Sequence, residues 1–323
     1  MKGVLAVSFC LCFISAGASA VDIDWVTVGN PGNAGEQSRL GYGDPTYYGG
    51  VDYIYRISTY EVTAGQYTEF LNAVAASDPH DLYNTEVWSD GIGCKIERSG
   101  SSGSYTYSIA SDYANRPVNY VSWYDTLRFT NWLHNGQGAG DTEDGAYDMS
   151  LGDSVVRKSG AQVWLPSENE WYKAAYHKND GVTGNYFDYP TSSDSVPSND
   201  LMDTDPGNNA TFYDNGYTIG SPYWRTEVGA HENSYSPYGT FDMGGNVCEW
   251  NETLIAVSDR GYLGGCFGFV DFGLISSTRG HLDPYNGGNC LGFRVAAVPE
   301  PATLSLLALG SLFLRMRKIK NPI

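Results

Sequence analysis

The longest stretch of the sequence without a regular pattern, residues 179–236, most constrains the fold. It is rich in Asn, Asp, Gly, Pro and Tyr, and its apolar residues follow neither the helical nor the strand period. A structureless segment of this length is uncommon in a compact domain. Its aromatic residues, such as Tyr186, Tyr213 and Trp224, favour packed irregular loops over disorder. The sequence therefore predicts a loop-rich globular fold with short strands and few helices.

Three helices are predicted from their first turns. Each carries a Ser or Thr followed three residues later by a side chain that caps it in return. The pairs are Thr63 with Gln66, Ser122 with Asp125, and Ser167 with Glu170. The second and third helices are predicted to end near His134 and Tyr176. Short strands are predicted at residues 25–28, 53–57, 245–250, 262–267 and 291–296.

The charge balance excludes a nucleic-acid binder. The chain has 19 Lys and Arg against 37 Asp and Glu, a net charge of −18, and no basic cluster lies within the globular part. Proteins that bind nucleic acid need such a cluster to displace counterions. Two explanations of the acidity stay open, namely solubility outside the cell and the binding of divalent cations.

The N-terminus has the pattern of a secretory signal peptide. Lys2 precedes the apolar residues 4–14, and the small residues Ala18-Ser19-Ala20 form a cleavage site. The apolar run is too short for a membrane anchor. Residues 1–20 are therefore predicted to be removed, which leaves a mature chain that begins at Val21 and is exported.

The C-terminus carries three features in order. Pro299-Glu300-Pro301 is followed by the apolar run 302–314 and then by a tail with four basic residues. The run is shorter than a comfortable membrane-spanning helix, and the basic tail favours the cytoplasmic side. Residues 298–323 resemble the PEP-CTERM sorting signal of Gram-negative bacteria. The resemblance implies exosortase-type sorting machinery as a partner, membrane contact only through this segment, and delivery to the cell envelope, the outer surface or the extracellular matrix.

Four cysteines remain after removal of the leader. They are Cys94, Cys248, Cys266 and Cys290. An even number of cysteines in an oxidising compartment permits disulfides, and all three pairings stay open. The mature chain has no C-x-x-C motif, which argues against a zinc ribbon or a thioredoxin-like site.

Several motifs between residues 21 and 297 resemble, in their order, the formylglycine-generating enzyme family, also called the sulfatase-modifying factor domain. They are Tyr60-Glu61-Val62-Thr63, Arg116-Pro117-Val118-Asn119-Tyr120-Val121-Ser122-Trp123, Trp164-Leu165-Pro166-Ser167-Glu168-Asn169-Glu170-Trp171, Tyr238-Gly239-Thr240-Phe241-Asp242-Met243-Gly244-Gly245-Asn246-Val247 with Glu249-Trp250, Gly264-Gly265, and Gly292-Phe293-Arg294-Val295-Ala296. The resemblance implies one domain over residues 21–297. Its expected fold is α+β and C-type-lectin-like, with short strands, few helices and long ordered loops. Most motif residues, including Trp164, Trp171 and Trp250, are expected to be scaffold.

The family is a copper-dependent oxidase, but this sequence lacks the paired cysteines of its copper site. Family enzymes convert a cysteine of a sulfatase to formylglycine with copper held by two cysteines in C-x-x-x-x-C spacing, and thiolates suit Cu(I). Aligned on Gly264-Gly265, the two positions are Phe269 and Leu274. Aligned on residues 292–294, they are Cys266 and Asp271. Copper is therefore not expected, and Cys266 is the remaining catalytic candidate. Cys266 with Cys290 is expected to form a disulfide, or alternatively an unusual copper site.

The resemblance also implies calcium. The family binds Ca²⁺ through a stretch that corresponds here to Asp242, Gly245, Val247 and Glu249, and carboxylate and carbonyl oxygens suit that ion. Asn209 and Ala210 match half of a second family calcium site. The alternative is that Asp242 and Glu249 only form hydrogen bonds with loop backbone.

Two functions follow as expectations. The first is an exported, calcium-stabilised module without the copper site, which binds extracellular polysaccharide or an envelope protein through loops 179–236 or has a structural role. The second is a formylglycine-generating oxidase with a diverged copper site that acts on a protein cysteine. The lectin-like fold by itself names no ligand.

Overall fold

The structure, a computed structural model, describes residues 20–37 and 46–299. The predicted leader up to Ser19 and the apolar run 302–314 lie outside these residues. Within them, no helix is both long and apolar enough to cross a membrane.

Three of the five α-helices in the described part of the chain begin where the capping motifs predict. Thr63, Ser122 and Ser167 are N-caps, and each forms the complete reciprocal capping box. The α-helices are α1 Ala64–Val74, α2 Glu86–Ser89, α3 Ser111–Ala114, α4 Trp123–His134 and α5 Glu168–Tyr176, with short 3-10 helices at Met149–Ser154 and Asp271–Gly273.

The strands are short and form two four-stranded sheets and two hairpin-like pairs. They are β1 Trp25–Val28, β2 Glu36–Gln37, β3 Tyr47–Tyr48, β4 Tyr55–Ser58, β5 Ile96–Ser99, β6 Thr106–Ile109, β7 Val163–Trp164, β8 Cys248–Leu254, β9 Arg260–Leu263, β10 Gly280–Leu282, β11 Leu291–Gly292 and β12 Ala296–Ala297. The first sheet has the order β1-β4-β12-β7 and is antiparallel. The second has the order β10-β9-β8-β11, in which only β11 runs parallel to its neighbour. β2 pairs with β3, and β5 with β6.

The predicted strand 291–296 is two strands that belong to different sheets. β11 pairs with β8, whereas β12 pairs with β4 and β7. The residues between them cross from one sheet to the other and bury Phe293, Arg294 and Val295 completely. This short crossing fixes the position of the second sheet against the first.

The predicted strand 262–267 ends early. β9 stops at Leu263 because Gly264 and Gly265 have φ angles of +92° and +66°. These angles lie in the left-handed region, which an extended strand does not use. The chain turns here and places Cys266 in the interior.

The region 179–236 contains neither a helix nor a strand, as predicted. Asp205 organises part of it by accepting hydrogen bonds from Gly207 N at 2.8 Å, Asn233 N at 2.8 Å and Ser234 Oγ at 2.7 Å. Burial acts to raise the pKa of Asp205, but these bonds outweigh it and hold the pKa below its ordinary value. Hydrogen bonds to one carboxylate thus replace a backbone ladder.

Aromatic side chains fill the core. Phe129 of α4 packs edge-on against Phe70 of α1 and against Phe293, with ring centroids 5.3 and 5.2 Å apart. The three tryptophans expected to be scaffold, Trp164, Trp171 and Trp250, are buried.

Candidate functional site

Glu249, a predicted calcium ligand, forms a fully buried ion pair with Arg294. Arg294 Nε donates to Glu249 Oε2 at 2.6 Å, and Nη2 donates to Oε1 at 2.7 Å. Trp171 Nε1 donates to Oε2 at 2.7 Å. Both carboxylate oxygens of Glu249 therefore already accept hydrogen bonds.

Two further predicted calcium ligands, Asp242 and Gly245, lie in the turn that precedes β8. Asp242 has a φ of +56°, and its Oδ2 accepts a hydrogen bond from Gly229 N at 2.6 Å. Burial raises the pKa of Asp242 to about 6. Gly245 has a φ of +88° and lies so close to Thr211 that a Cβ would be 2.3 Å from its carbonyl oxygen. The turn therefore requires glycine there.

Glu61 is a further acidic residue of this interior, and it belongs to the motif Tyr60-Glu61-Val62-Thr63. Its Oε1 accepts from Val247 N at 3.2 Å, and its Oε2 accepts from Asn246 Nδ2 at 2.9 Å. Burial, followed by the charges of Asp242 and Glu249, raises the pKa of Glu61 well above its ordinary value. Over residues 20–37 and 46–299, however, no group of three or more His, Cys, Asp or Glu is arranged to hold a metal ion.

Asn209 and Ala210, the half of the second predicted calcium site, line a small cavity together with Asp242. The cavity measures about 10 Å³, which is about the space of one water molecule. Asn209 is fixed there, because its Nδ2 donates to Asp205 Oδ1 at 2.5 Å and its N donates to Ser234 Oγ at 2.8 Å. The structure thus brings residues of both predicted calcium sites to one small cavity.

The structure shows which cysteines lie close together, a question that the sequence left open. The sulfur of Cys266 lies 2.6 Å from that of Cys290, and Cys248 lies close enough to act electrostatically on Cys266. All are free thiols in this structure. The interaction with Cys248, and then burial, raises the pKa of Cys266 far above its ordinary value. We call Cys248, Cys266 and Cys290 the thiol cluster.

The residues that the two alignments assign to the family's copper positions lie in different surroundings. Phe269 is 40% exposed, whereas Leu274 is fully buried. In the other alignment, Asp271 begins a 3-10 helix, and the sulfur neighbours of Cys266 are the other members of the thiol cluster. Neither alignment places two thiols in the family's spacing.

A cavity of about 710 Å³ lies between the segment 79–85, the N-terminus of α4 and the segment 285–287. No sequence motif marked it, because its walls come from segments far apart in the chain. Its lining combines aromatic and charged side chains, notably Tyr83, Arg98, Tyr120, Tyr124, Arg128 and Tyr285. A more open depression of about 530 Å³ lies in the predicted binding loops, at residues 199–202 and 214–218.

Aromatic rings and paired cations shape the larger cavity. Tyr285 is 71% exposed, and its ring centroid lies 4.7 Å from that of Tyr124. The guanidinium of Arg98 stacks over Tyr83 and Tyr105 at 4.6 and 4.5 Å. Arg128 holds both oxygens of Glu143, at 2.7 and 3.1 Å. Such a wall offers apolar ring faces and hydrogen-bond donors side by side.

Two known protein families match this chain. The profile described as "Sulfatase-modifying factor enzyme 1-like domain" matches residues 50–298. The chain belongs to this family. The PEP-CTERM protein-sorting motif matches residues 297–318. The motif implies recognition by exosortase-type machinery, and it indicates export and surface sorting in Gram-negative bacteria.

Solved structures share the fold at low sequence identity. Treponema denticola variable protein 1 has a TM-score of 0.54 and 18% identity, with 87% of this chain and 97% of that chain covered. CarF has a TM-score of 0.48 at 18% identity over 86% and 99% of the two chains, and PvdO from Pseudomonas aeruginosa has 0.48 at 17% over 85% and 94%. No curated protein matches the sequence. The predicted α+β, C-type-lectin-like fold of the family is confirmed.

Proposed function

We propose that the chain is a surface-displayed binding module whose ligand is a hydroxyl-rich oligosaccharide. The observation that carries this proposal is the cavity of about 710 Å³ at the N-terminus of α4. Its volume lies within the range of ordinary ligand pockets. The C–H faces of a sugar ring fit an aromatic ring, and sugar hydroxyls fit the donors and acceptors beside it.

The exposed ring of Tyr285 is the stacking platform in this proposal. Arg98 lies deeper, is held over two tyrosine rings, and presents further N–H donors to hydroxyls or to a sugar carboxylate. This position differs from the predicted loops 179–236, whose depression is smaller and more open. The larger, less open cavity removes more ligand surface from water and is therefore preferred.

The test is a binding titration of the full chain with neutral and uronic-acid oligosaccharides. Tyr285→Ala is expected to weaken binding about tenfold, because it removes the stacking face. Tyr217→Ala is the matched control, since Tyr217 is 45% exposed and lines the other depression. A loss with Tyr217→Ala and none with Tyr285→Ala would move the site to the predicted loops.

We also propose that the chain lacks the paired-cysteine copper site of the family's oxidase. Support comes from the alignments, which give Phe269 with Leu274 or Cys266 with Asp271. The full chain treated with Cu(I) is expected to leave a Cys-x-Pro-x-Arg peptide unchanged by mass spectrometry. Conversion that disappears in Cys266→Ala would instead establish the alternative, an oxidase with a diverged copper site.

Calcium at Asp242, Gly245, Val247 and Glu249 stays a proposal from the family resemblance. An ion there competes with Arg294 for Glu249, so binding has to break a buried ion pair. The proposal requires that the melting temperature rise with added Ca²⁺ and fall with a chelator. An unchanged melting temperature would leave Arg294 as the cation of this site.

A further inference from the structure

The larger cavity differs in charge from the rest of this acidic chain. The whole chain has 37 Asp and Glu against 19 Lys and Arg. The lining of the cavity instead holds two arginines, Arg98 and Arg128, against two aspartates, Asp81 and Asp125. An anionic ligand is therefore opposed less strongly in this cavity than by a surface with the average charge of the chain.

The smaller depression in the loops does not share this feature. Its lining contains Asp200 and Asp214, and among the described residues that form it there is no Lys or Arg. Of these two sites, only the larger cavity therefore offers a guanidinium to a ligand.

The guanidinium of Arg98 is held in place before a ligand binds. Arg98 lies on β5, and its guanidinium stacks over the rings of Tyr83 and Tyr105 at 4.6 and 4.5 Å. Its Nη1 donates to Asp78 Oδ2 at 3.4 Å. These contacts restrict a long and otherwise flexible side chain, so that less conformational entropy is lost when a ligand binds to it.

Asp78 leaves Arg98 with donors for a second carboxylate. Asp78 is buried, and its Oδ1 accepts from Leu82 N at 2.8 Å while its Oδ2 accepts from Tyr83 N at 3.2 Å. The contact of 3.4 Å with Arg98 is longer than the separation of about 2.8 Å that is usual for an ionic hydrogen bond. A guanidinium has five N–H donors, and 26% of the Arg98 side chain remains exposed.

Arg128 differs from Arg98, because a carboxylate of the chain already occupies its donors. Its Nε and Nη2 donate to the two oxygens of Glu143 at 2.7 and 3.1 Å. This is the bidentate geometry that a ligand carboxylate would need. Among the described residues, Arg98 has no such bidentate partner, so it is the arginine of this cavity that suits an acidic ligand.

We propose that the ligand of this cavity is an acidic oligosaccharide whose uronic-acid carboxylate pairs with the guanidinium of Arg98. This inference rests on the proposed function and narrows its ligand to one class of sugar. A carboxylate is planar and matches two parallel N–H donors, so its pair with an arginine is directional as well as charged. Tyr285 then stacks on a sugar ring, and Arg98 selects the sugars that carry the acid.

The experiment uses a matched pair of ligands, an oligogalacturonate and the same oligosaccharide after reduction of its carboxyl groups to alcohols. Isothermal titration calorimetry of the full chain at pH 6 gives the dissociation constant of each ligand. A uronic acid is ionised at this pH. Burial raises the pKa of Asp125 to about 7, so this carboxyl group of the cavity is mostly protonated and repels the ligand little. The measured quantity is the ratio of the two dissociation constants.

The wild-type chain is expected to bind the oligogalacturonate about tenfold more tightly than the reduced ligand, because hydrogen bonds to charged groups are the stronger ones. Arg98→Met keeps an apolar side chain against the tyrosine rings and is expected to bring the ratio close to one. Arg98→Lys keeps the charge without the planar fork, and its ratio is expected to lie between these values.

Lys178→Met is the matched control, because Lys178 pairs with Asp194 and does not line the cavity. It is expected to retain the wild-type ratio. Near-ultraviolet circular dichroism checks that each variant is folded. If Arg98→Met does not fold, the ratio of Arg98→Lys decides, and an unreduced ratio in that variant would overturn the proposal.

The outcomes separate this inference from the proposed function. A wild-type ratio of about one or less, with binding of both ligands weakened in Tyr285→Ala, would overturn the role of the carboxylate and leave the proposed function standing. A wild-type preference that Arg98→Met does not reduce would also overturn the inference alone. If the wild-type chain binds neither ligand, the proposed function fails and this inference fails with it.

Discussion

Glu249 and Arg294 meet through two short hydrogen bonds in the part of the interior where both main sheets converge. Glu249 belongs to β8, whereas Arg294 lies in the crossing between β11 and β12 and also donates to the carbonyl oxygen of Ser58 in β4 at 3.1 Å. The acidic residues Glu61 and Asp242 lie close enough to act on the same guanidinium. Arg294 is therefore both a connection between the sheets and the cation that balances this acidic interior.

Removal of Arg294 is expected to be strongly destabilising. Arg294→Met leaves buried carboxylates without their cation, and loss of one partner of a buried pair costs about 3–5 kcal/mol. Urea denaturation measures the change in the free energy of unfolding. Lys158→Met, at the exposed pair of Lys158 with Asp144, is the control and is expected to cost about 1 kcal/mol or less. Equal losses in both variants would contradict this account.

The two residues of the α5 capping box have different roles, because Ser167 acts only within the helix and Glu170 also makes tertiary contacts. Ser167 only caps the helix, so Ser167→Ala is expected to cost about 1 kcal/mol. Glu170 also accepts hydrogen bonds from Tyr53 Oη at 2.8 Å, Trp164 Nε1 at 3.0 Å and Arg157 Nη2 at 2.8 Å. Glu170→Ala removes this acceptor from Tyr53 and Trp164, whereas Arg157 keeps Glu252, and is expected to cost about 3 kcal/mol. Chemical denaturation of both variants tests this, and losses of the same size would show that capping is the whole role of Glu170.

Gly245→Ala tests the tight turn between the predicted calcium residues. The added Cβ meets the Thr211 carbonyl oxygen at 2.3 Å, at a φ of +88°. We expect a loss of about 2 kcal/mol or more in the free energy of unfolding, from overpacking together with backbone strain. Gly216→Ala is the control, because an added Cβ there has no neighbour within 4 Å. If Gly245→Ala matched that control, the close approach to Thr211 would be disproved.

The features that the sequence predicts correctly depend on residues that are close together in the chain. A capping box lies within four residues, so the starts of α1, α4 and α5 could be placed exactly from Thr63, Ser122 and Ser167. The hairpin-like pair β5–β6 was missed, and residues 291–296 were predicted as one strand rather than two. Pairing of short strands depends on the rest of the fold, which local patterns do not contain.

The site depends on contacts between residues distant in sequence. Glu249 and Arg294 each belong to a quoted motif, but only the folded chain shows that they pair with each other. The cavity beside Tyr285 draws on five separate segments, so that no motif could mark it. The contact of Cys266 with Cys290 was one of several open choices.

The buried carboxyl group of Asp125 is expected to make the free energy of unfolding depend on pH. Its side chain is buried at the N-terminus of α4, and burial raises the pKa of Asp125 from 3.8 to about 7. Between these values the folded chain binds the proton more tightly than the unfolded chain. The free energy of unfolding therefore falls as pH rises through this window, by at most about 1.4 kcal/mol per pH unit.

Asp125→Asn removes this titration and keeps an oxygen that accepts from Ser122 N. Urea denaturation at several pH values is expected to show the wild-type free energy minus that of the variant falling from about pH 4 to about pH 7 and level above it. Asp148→Asn is the control with the opposite sign. Hydrogen bonds from Ser150 lower the pKa of Asp148, so its contribution is present above pH 3.8 and is lost as pH falls. A difference for Asp125→Asn that is constant or rises with pH would show that this carboxyl group titrates normally.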